Sequence, residues 1–205
     1  MDIYLCRHGQ SENNLLPVAE HRPDPPLTAL GQAQAEMLAR PLSARRPALL
    51  LSSPLLRALE TAGPLAARTG CPWEVWEDLA EAHRAHPDDG LPLPELRRRF
   101  PQVRWAPRMR WPGTPGPESE AQARERAANL VRRLTAATRR GPLVVIGHGN
   151  LNAYLLAAWL GTPPAVRFEQ DNAAIHHLVL EDGRVRVVRL NEGGHLAAAG
   201  ADSFR

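Results

Sequence analysis

Lysine is absent from this chain. All 25 basic residues among its 205 are arginines, and 22 acidic residues nearly match them, which leaves a net charge of +3. So small an excess argues against the strongly basic footprint of a dedicated nucleic-acid binder, even though the isoelectric point is about 9.5. Cysteine is scarce as well. Cys6 and Cys71 are too few for a disulfide framework, so two reduced thiols are expected. Long apolar runs are missing. The densest, Ala153 to Leu160, falls far short of the roughly 18 residues that cross a membrane. The start MDIYLCRHG has no basic segment followed by a long apolar stretch, so no signal peptide is expected. A soluble, cytoplasmic protein follows, and 205 residues suit one sizeable core better than two.

What is present alternates between strand-like and helix-like segments. Ile3 to Cys6 reads as a strand. A proline-rich loop follows, and then a helix from Thr28 to Ser43 with Thr28 as its cap. Ala48 to Leu51 is a second strand, and Leu55 to Thr69 a helix that Gly63-Pro64 should break or kink. Trp73 to Trp76 is a third strand. Residues 82–117 are irregular and proline-rich, with one short helix at Pro94 to Phe100. Glu118 to Arg139 is a long amphipathic helix. Leu143 to Ile146 is a fourth strand, and Asn150 caps a helix to Trp159. Ala174 to Leu180 and Val185 to Leu190 flank Asp182-Gly183, a hairpin turn signal. Strands alternating with helices predict an α/β fold with a largely parallel sheet. Residues 82–117 read as a lid or insertion within one domain covering residues 1–205.

In an open α/β sheet, ligands bind beyond the carboxyl ends of the strands. The first strand ends in Arg7-His8-Gly9, with Ser11 and Asn14 close behind, and the second leads to Arg57. Asp78 and Glu81 follow the third, and His148-Gly149 the fourth. Two arginines suit a phosphate, whose oxygens accept the paired N–H groups of a guanidinium. A neutral imidazole can attack phosphorus. A glutamate can protonate the leaving oxygen and then take a proton from water. A second histidine can stabilise charge on the group in transfer. Gly9 and Gly149 would leave room for a ligand to approach the backbone, which puts Gly149 among the substrate-binding positions.

The stretches RHGQSENN, PPLTALGQAQA, SSPLLRALETA, DLAEAH, GPESEAQAR, VVIGHGN, DNAAIHHL and LNEGGHL run from one end of the chain nearly to the other. In that order they resemble the histidine phosphatase superfamily, which includes the cofactor-dependent phosphoglycerate mutases. The resemblance implies a three-layer α/β/α sandwich that needs no metal and no cofactor. It implies that His8 is the phosphorylated nucleophile, that Arg7, Arg57 and His148 form the phosphate pocket, and that Ser11 and Asn14 line it. Glu81 takes the role of proton donor and acceptor, favoured over its neighbours Glu77 and Asp78 by the spacing Leu79-Ala80-Glu81. The mutases of the family hold a bisphosphate with extra basic groups, a lysine among them. This chain has no lysine and lacks their Arg-Phe-x-Gly-Trp pattern, so a phosphatase acting on small phosphorylated metabolites is expected over a mutase.

Other classes make their own claims. RRRFPQVRWAPRMRW at 97–111 interleaves six arginines with Phe100, Trp105 and Trp111, a pattern that could track a nucleic-acid strand. Against it stands the modest net charge, so no nucleic-acid partner and no membrane partner are expected. A metal site would need more than His83 with His86 or the adjacent His176-His177, of which one ring should face the core and the other solvent. A non-catalytic scaffold would have lost His8, Glu81 or an arginine. A homodimer is allowed by the sequence and not required by it.

Overall fold

Two-residue alternation in three short strands decides the architecture. The computed structural model describes residues 1–82, 90–112, 117–138, 141–163 and 166–197. In β1 (Asp2–Arg7), Tyr4 and Cys6 face one way and Ile3 and Leu5 the other. In β2 (Leu49–Ser52) and β5 (Leu143–Gly147), Leu50, Val144 and Ile146 join the first set, and Leu49, Leu51, Leu143 and Val145 the second. Both sets are fully buried, so helices must cover both faces of the sheet. On one side lie α1 (Ala29–Ser43) and α2 (Leu56–Thr69), which contribute Leu38, Leu42, Leu59 and Leu65. On the other lie α4 (Glu120–Ala137) and α5 (Gly149–Leu160), which contribute Leu130, Leu134, Leu151 and Leu155. The result is the expected three-layer α/β/α sandwich.

The sheet has seven strands in the order β4-β3-β2-β5-β1-β6-β7, with β3 at Trp73–Val75, β4 at Arg104–Trp105, β6 at Ile175–Glu181 and β7 at Arg184–Glu192. The first five run parallel, and β6 and β7 form an antiparallel hairpin on the edge of β1. Two short helices, α3 (Leu93–Arg99) and α6 (Gly194–Ala197), add Leu96 and Leu196 to the face covered by α1 and α2.

Three local expectations are revised. Pro64 does not end α2, which runs unbroken to Gly70. Its apolar face, with Leu59, Ala62, Leu65 and Ala66 buried on both sides of the proline, holds the helix together across one missing N–H bond. Asn150 is not the cap of α5. His148 occupies that position, and the helix begins at Gly149. The proline-rich stretch is also less irregular than expected, because it supplies the edge strand β4. Its aromatics are not displayed. Phe100 and Trp111 are buried, Trp105 packs against the same cluster, and the Trp105 Nε1–H donates to the Phe100 carbonyl at 3.3 Å. Residues 83–89 and 113–116, with His83 and His86 among them, lie outside the described residues.

The paired histidines of β6 take opposite faces of the sheet as the alternation requires, but the His177 ring is packed and not solvated, with 17% of its side chain exposed. His176 is buried, and its Nδ1 accepts the Asn191 N–H at 3.1 Å. His177 stacks on Tyr4 with ring centroids 4.5 Å apart and bonds Asp2 at 2.7 Å. Burial lowers the His176 pKa to about 4. The unfolded chain therefore binds a proton on this ring below about pH 6.5, while the folded chain refuses it until about pH 4, so stability rises with pH across that window. Acidification from pH 6.5 to 4 should cost about 3 kcal/mol at this residue alone. Urea unfolding at several pH values will show it, and His176→Gln should flatten the dependence. An identical slope in the variant would refute the assignment.

Candidate active site

Arg7 and Gly147 are register partners in the parallel β1–β5 ladder. The residues that follow, His8 and His148, are therefore abreast at one rim of the sheet. Their ring centroids lie 5.1 Å apart with planes at 59°, and both are buried. The His8 N–H extends the ladder by donating to the Gly147 carbonyl at 3.0 Å. Arg57 arrives from the start of α2, the helix after β2, which is the other neighbour of β5. Glu81 follows a short helical turn after β3.

Hydrogen bonding fixes the state of His8. Its Nδ1 lies 2.6 Å from the Gly9 carbonyl, which can only accept, so Nδ1 carries the proton. Its Nε2 receives the Arg57 Nε–H at 3.2 Å, and a guanidinium can only donate, so Nε2 keeps its lone pair. The ring is neutral. Burial first, and then the Arg57 and Arg7 charges, hold its pKa well below 6.5 against an opposing pull from the Gly9 hydrogen bond. Arg57 is itself held by Asp24, a buried carboxylate 3.8 Å from Nη1. Asp24 also accepts the Leu56 N–H at 2.7 Å and the Leu91 N–H at 3.2 Å, which ties the loop after β1 to α2 and to the segment before α3.

Arg7 donates through Nη1 to the Gln170 carbonyl at 2.6 Å, and its buried Nε–H finds no acceptor among the described residues. Glu81 lies against the N-terminus of α5. Its Oε1 accepts the Ala82 N–H at 2.8 Å and the Leu151 N–H at 3.0 Å, while Oε2 takes, among the described residues, only the Asn150 N–H at 3.3 Å. Two of these donors belong to the first turn of the helix, whose N–H groups have no partner within the helix. From α4, the Arg126 guanidinium grips the Asp78 and Ala80 carbonyls just ahead of Glu81 and pairs with Glu118 on its other side. The neighbouring acids are engaged elsewhere, Asp78 with Arg133 and Glu77 with the Arg110 N–H at 2.8 Å.

Ser11 and Asn14 sit together beside His8. The Asn14 Oδ1 accepts both the Ser11 N–H at 2.9 Å and the Ser11 hydroxyl at 3.0 Å. Gly149 keeps its place at the rim, its carbonyl accepting the Gln170 Nε2–H at 2.8 Å. Gly9 has a different reason from the one expected. A Cβ there would meet the Gly31 carbonyl oxygen of α1 at 2.6 Å, so the glycine admits a helix, not a ligand. Arg7, His8, Ser11, Asn14, Asp24, Arg57, Glu81, Gly149 and Gln170 line a cleft of two adjoining arms, about 580 and 650 Å³, which share Arg7, Glu81 and Asn150, whereas His148 has no exposed surface and is not on its wall. Of residues 82–117, Ala82 is on its wall. Asp24, Gln170 and Asn172 were missed by sequence reasoning. Nothing in a single chain says that Asp24 meets Leu56 across 32 residues, or that Gln170 and Asn172 fold against Arg7 and His8 across more than 160.

A model of the histidine phosphatase superfamily (branch 1) matches residues 3–193. The chain belongs to that superfamily. A glucosyl-3-phosphoglycerate phosphatase of Mycolicibacterium vanbaalenii is 35% identical over 170 residues, 78% of this chain and 75% of that one. Among solved structures, the mycobacterial glucosyl-3-phosphoglycerate phosphatase complexed with VO3 superposes with a TM-score of 0.69 at 30% identity, covering 94% of this chain and 99% of the other. The phosphoserine phosphatase of Entamoeba histolytica, solved with 3-phosphoglyceric acid, has a TM-score of 0.72 at 24% identity and shares the fold. This histidine phosphatase superfamily member is a phosphomonoesterase.

Proposed function

We propose that the chain hydrolyses small phosphorylated metabolites through a phosphohistidine on Nε2 of His8, without a metal. The observation that carries this reading is the His8 tautomer. Nδ1–H is committed to Gly9, and the Nε2 lone pair meets Arg57, the arginine that would bind the phosphate. The buried, unsatisfied Nε–H of Arg7 is a second donor that an anion would complete. In the first step Nε2 attacks phosphorus, the ester P–O bond breaks, and Glu81 hands its proton to the leaving oxygen. Oε2, which among the described residues has one long bond, is the oxygen of Glu81 that would carry that proton. In the second step water attacks the phosphohistidine, Glu81 takes the proton of water, and the P–N bond breaks to release phosphate and neutral His8. Arg7, Arg57, His148, Ser11 and Asn14 hold the phosphoryl oxygens, with Gly149 beside them.

Residues 1–205 would act as one domain, with 82–117 as its lid or insertion, in the cytoplasm. The lack of lysine and the phosphatase relatives favour hydrolysis over mutase transfer. The packing of Phe100 and Trp111 into the core leaves few aromatic faces for bases, which favours a small substrate over a nucleic-acid strand. A two-armed cleft has room for a leaving group well beyond the phosphate, so glucosyl-3-phosphoglycerate, phosphoserine and 3-phosphoglycerate form the first panel. Turnover of p-nitrophenyl phosphate in EDTA is the direct test, and no turnover would end the proposal. Formation of 2-phosphoglycerate from 3-phosphoglycerate plus 2,3-bisphosphoglycerate would instead identify a mutase.

A further inference from the structure

The segment that enters β6 crosses directly beneath the site. Gln170 receives Arg7 on its carbonyl and donates to Gly149, and the Ala173 N–H donates to the His8 carbonyl at 3.1 Å. At its centre is Asn172, with no exposed surface. Its Nδ2 donates to the His8 carbonyl at 3.2 Å and to Oδ1 of Asn14 at 3.3 Å. Neither bond touches the cleft, yet together they join the main chain of His8 to the side chain of Asn14.

The consequence lies in the Asn14 carboxamide. A carboxamide can present either end, and which end faces a ligand is set by its partners. Three groups converge on one atom of Asn14: the Ser11 N–H, the Ser11 hydroxyl and the Asn172 Nδ2–H. The backbone N–H and the Asn172 amide can only donate, so that atom is the oxygen, and it is saturated. Asn14 lines the cleft beside His8, and with its oxygen taken up by Ser11 and Asn172 the group it has left for a ligand is the NH2. An NH2 donates to a phosphoryl oxygen, whereas a carbonyl oxygen in its place would repel it.

We propose that Asn172 is a positioning residue that locks Asn14 with its amide donor toward the phosphoryl group. This rests on the phosphohistidine reading of the site. Asn172 touches no substrate. It acts through Asn14, and its effect should vanish when Asn14 can no longer donate.

A double-mutant cycle tests this coupling. Asn14→Ala and Asn172→Ala should each lower kcat/KM for p-nitrophenyl phosphate by about tenfold or more, the usual size for a lost hydrogen bond to a charged group. Each should weaken inhibition by orthovanadate to a similar degree. In Asn14→Ala/Asn172→Ala the second change should add less than about twofold, because the donor it positions is already gone. Asn14→Asp keeps the acceptor that Ser11 and Asn172 require and removes the donor, so it should lose at least as much as Asn14→Ala. Losses that multiply in the double variant would overturn the proposal, as would Asn172→Ala with wild-type kcat/KM and vanadate inhibition. If Asn172→Ala does not fold, the shape-matched Asn172→Leu enters the same cycle with the same outcomes. Failure of the phosphatase reading is a separate result, because it appears in the wild-type protein as absent turnover.

Discussion

His8→Ala should lower turnover of p-nitrophenyl phosphate by about 10⁴-fold or more, the loss that follows removal of a covalent nucleophile. Phosphate binding should survive. Arg57 remains anchored by Asp24 and Arg7 by the Gln170 carbonyl, so orthovanadate should still bind within about tenfold of wild type. Quenched wild-type enzyme should carry a phosphoryl label that resists base and is lost in acid, the behaviour of a P–N bond, and His8→Ala should carry none. The pH profile adds an independent reading. A histidine with an ordinary pKa would lose its lone pair below about pH 6.5. Burial and the Arg57 and Arg7 charges keep His8 neutral well below that value, so kcat/KM should show no inflection near 6.5 from this group. Undiminished turnover in His8→Ala, or a label retained by it, would remove His8 from the mechanism.

Glu81→Gln should slow alkyl phosphates by about 10²–10⁴-fold, the range for a lost general acid. The amide keeps the size of the carboxylate, and its oxygen can still accept the Ala82 and Leu151 N–H groups, so the N-terminus of α5 should hold. What disappears is a transferable proton. An alkoxide cannot leave without one, whereas p-nitrophenolate can. The first step with p-nitrophenyl phosphate should therefore persist, while the second, which needs a base to take the proton of water, should not. A burst of p-nitrophenol and a build-up of phosphorylated His8 should follow. Equal losses for both leaving groups with no accumulation would assign the proton to another residue.

The strand ends of β1 and β5 were legible because apolar runs broke into Arg7-His8-Gly9 and His148-Gly149, chemistry that buried strands do not otherwise carry. Glu81 stood among three acids within five residues, and its separation from Glu77 and Asp78 is a matter of tertiary partners. The missing Cβ of Gly9 accommodates α1, a neighbour that the local sequence does not name. Local propensity at Pro64 counts the lost N–H bond and not the buried faces on either side, which carry α2 past it. Asp24 and Asn172 gave no signal of their own, because a buried carboxylate or amide is defined by partners 30 to 160 residues away.

By itself the sequence determined the α/β class, the strands that end in chemistry, and the residue types that suit a phosphoryl group. These are local properties, written in apolar periodicity and in the side chains at strand ends. Only the tertiary structure decided which histidine nitrogen holds the lone pair, which oxygen of Glu81 is least engaged, and which atom of Asn14 accepts from Ser11 and Asn172. Each of those depends on a hydrogen-bond partner brought from a distant segment by the β1–β5 register and the packing of both sheet faces. Orientation of a polar group is a property of its partners, and a linear chain does not name them.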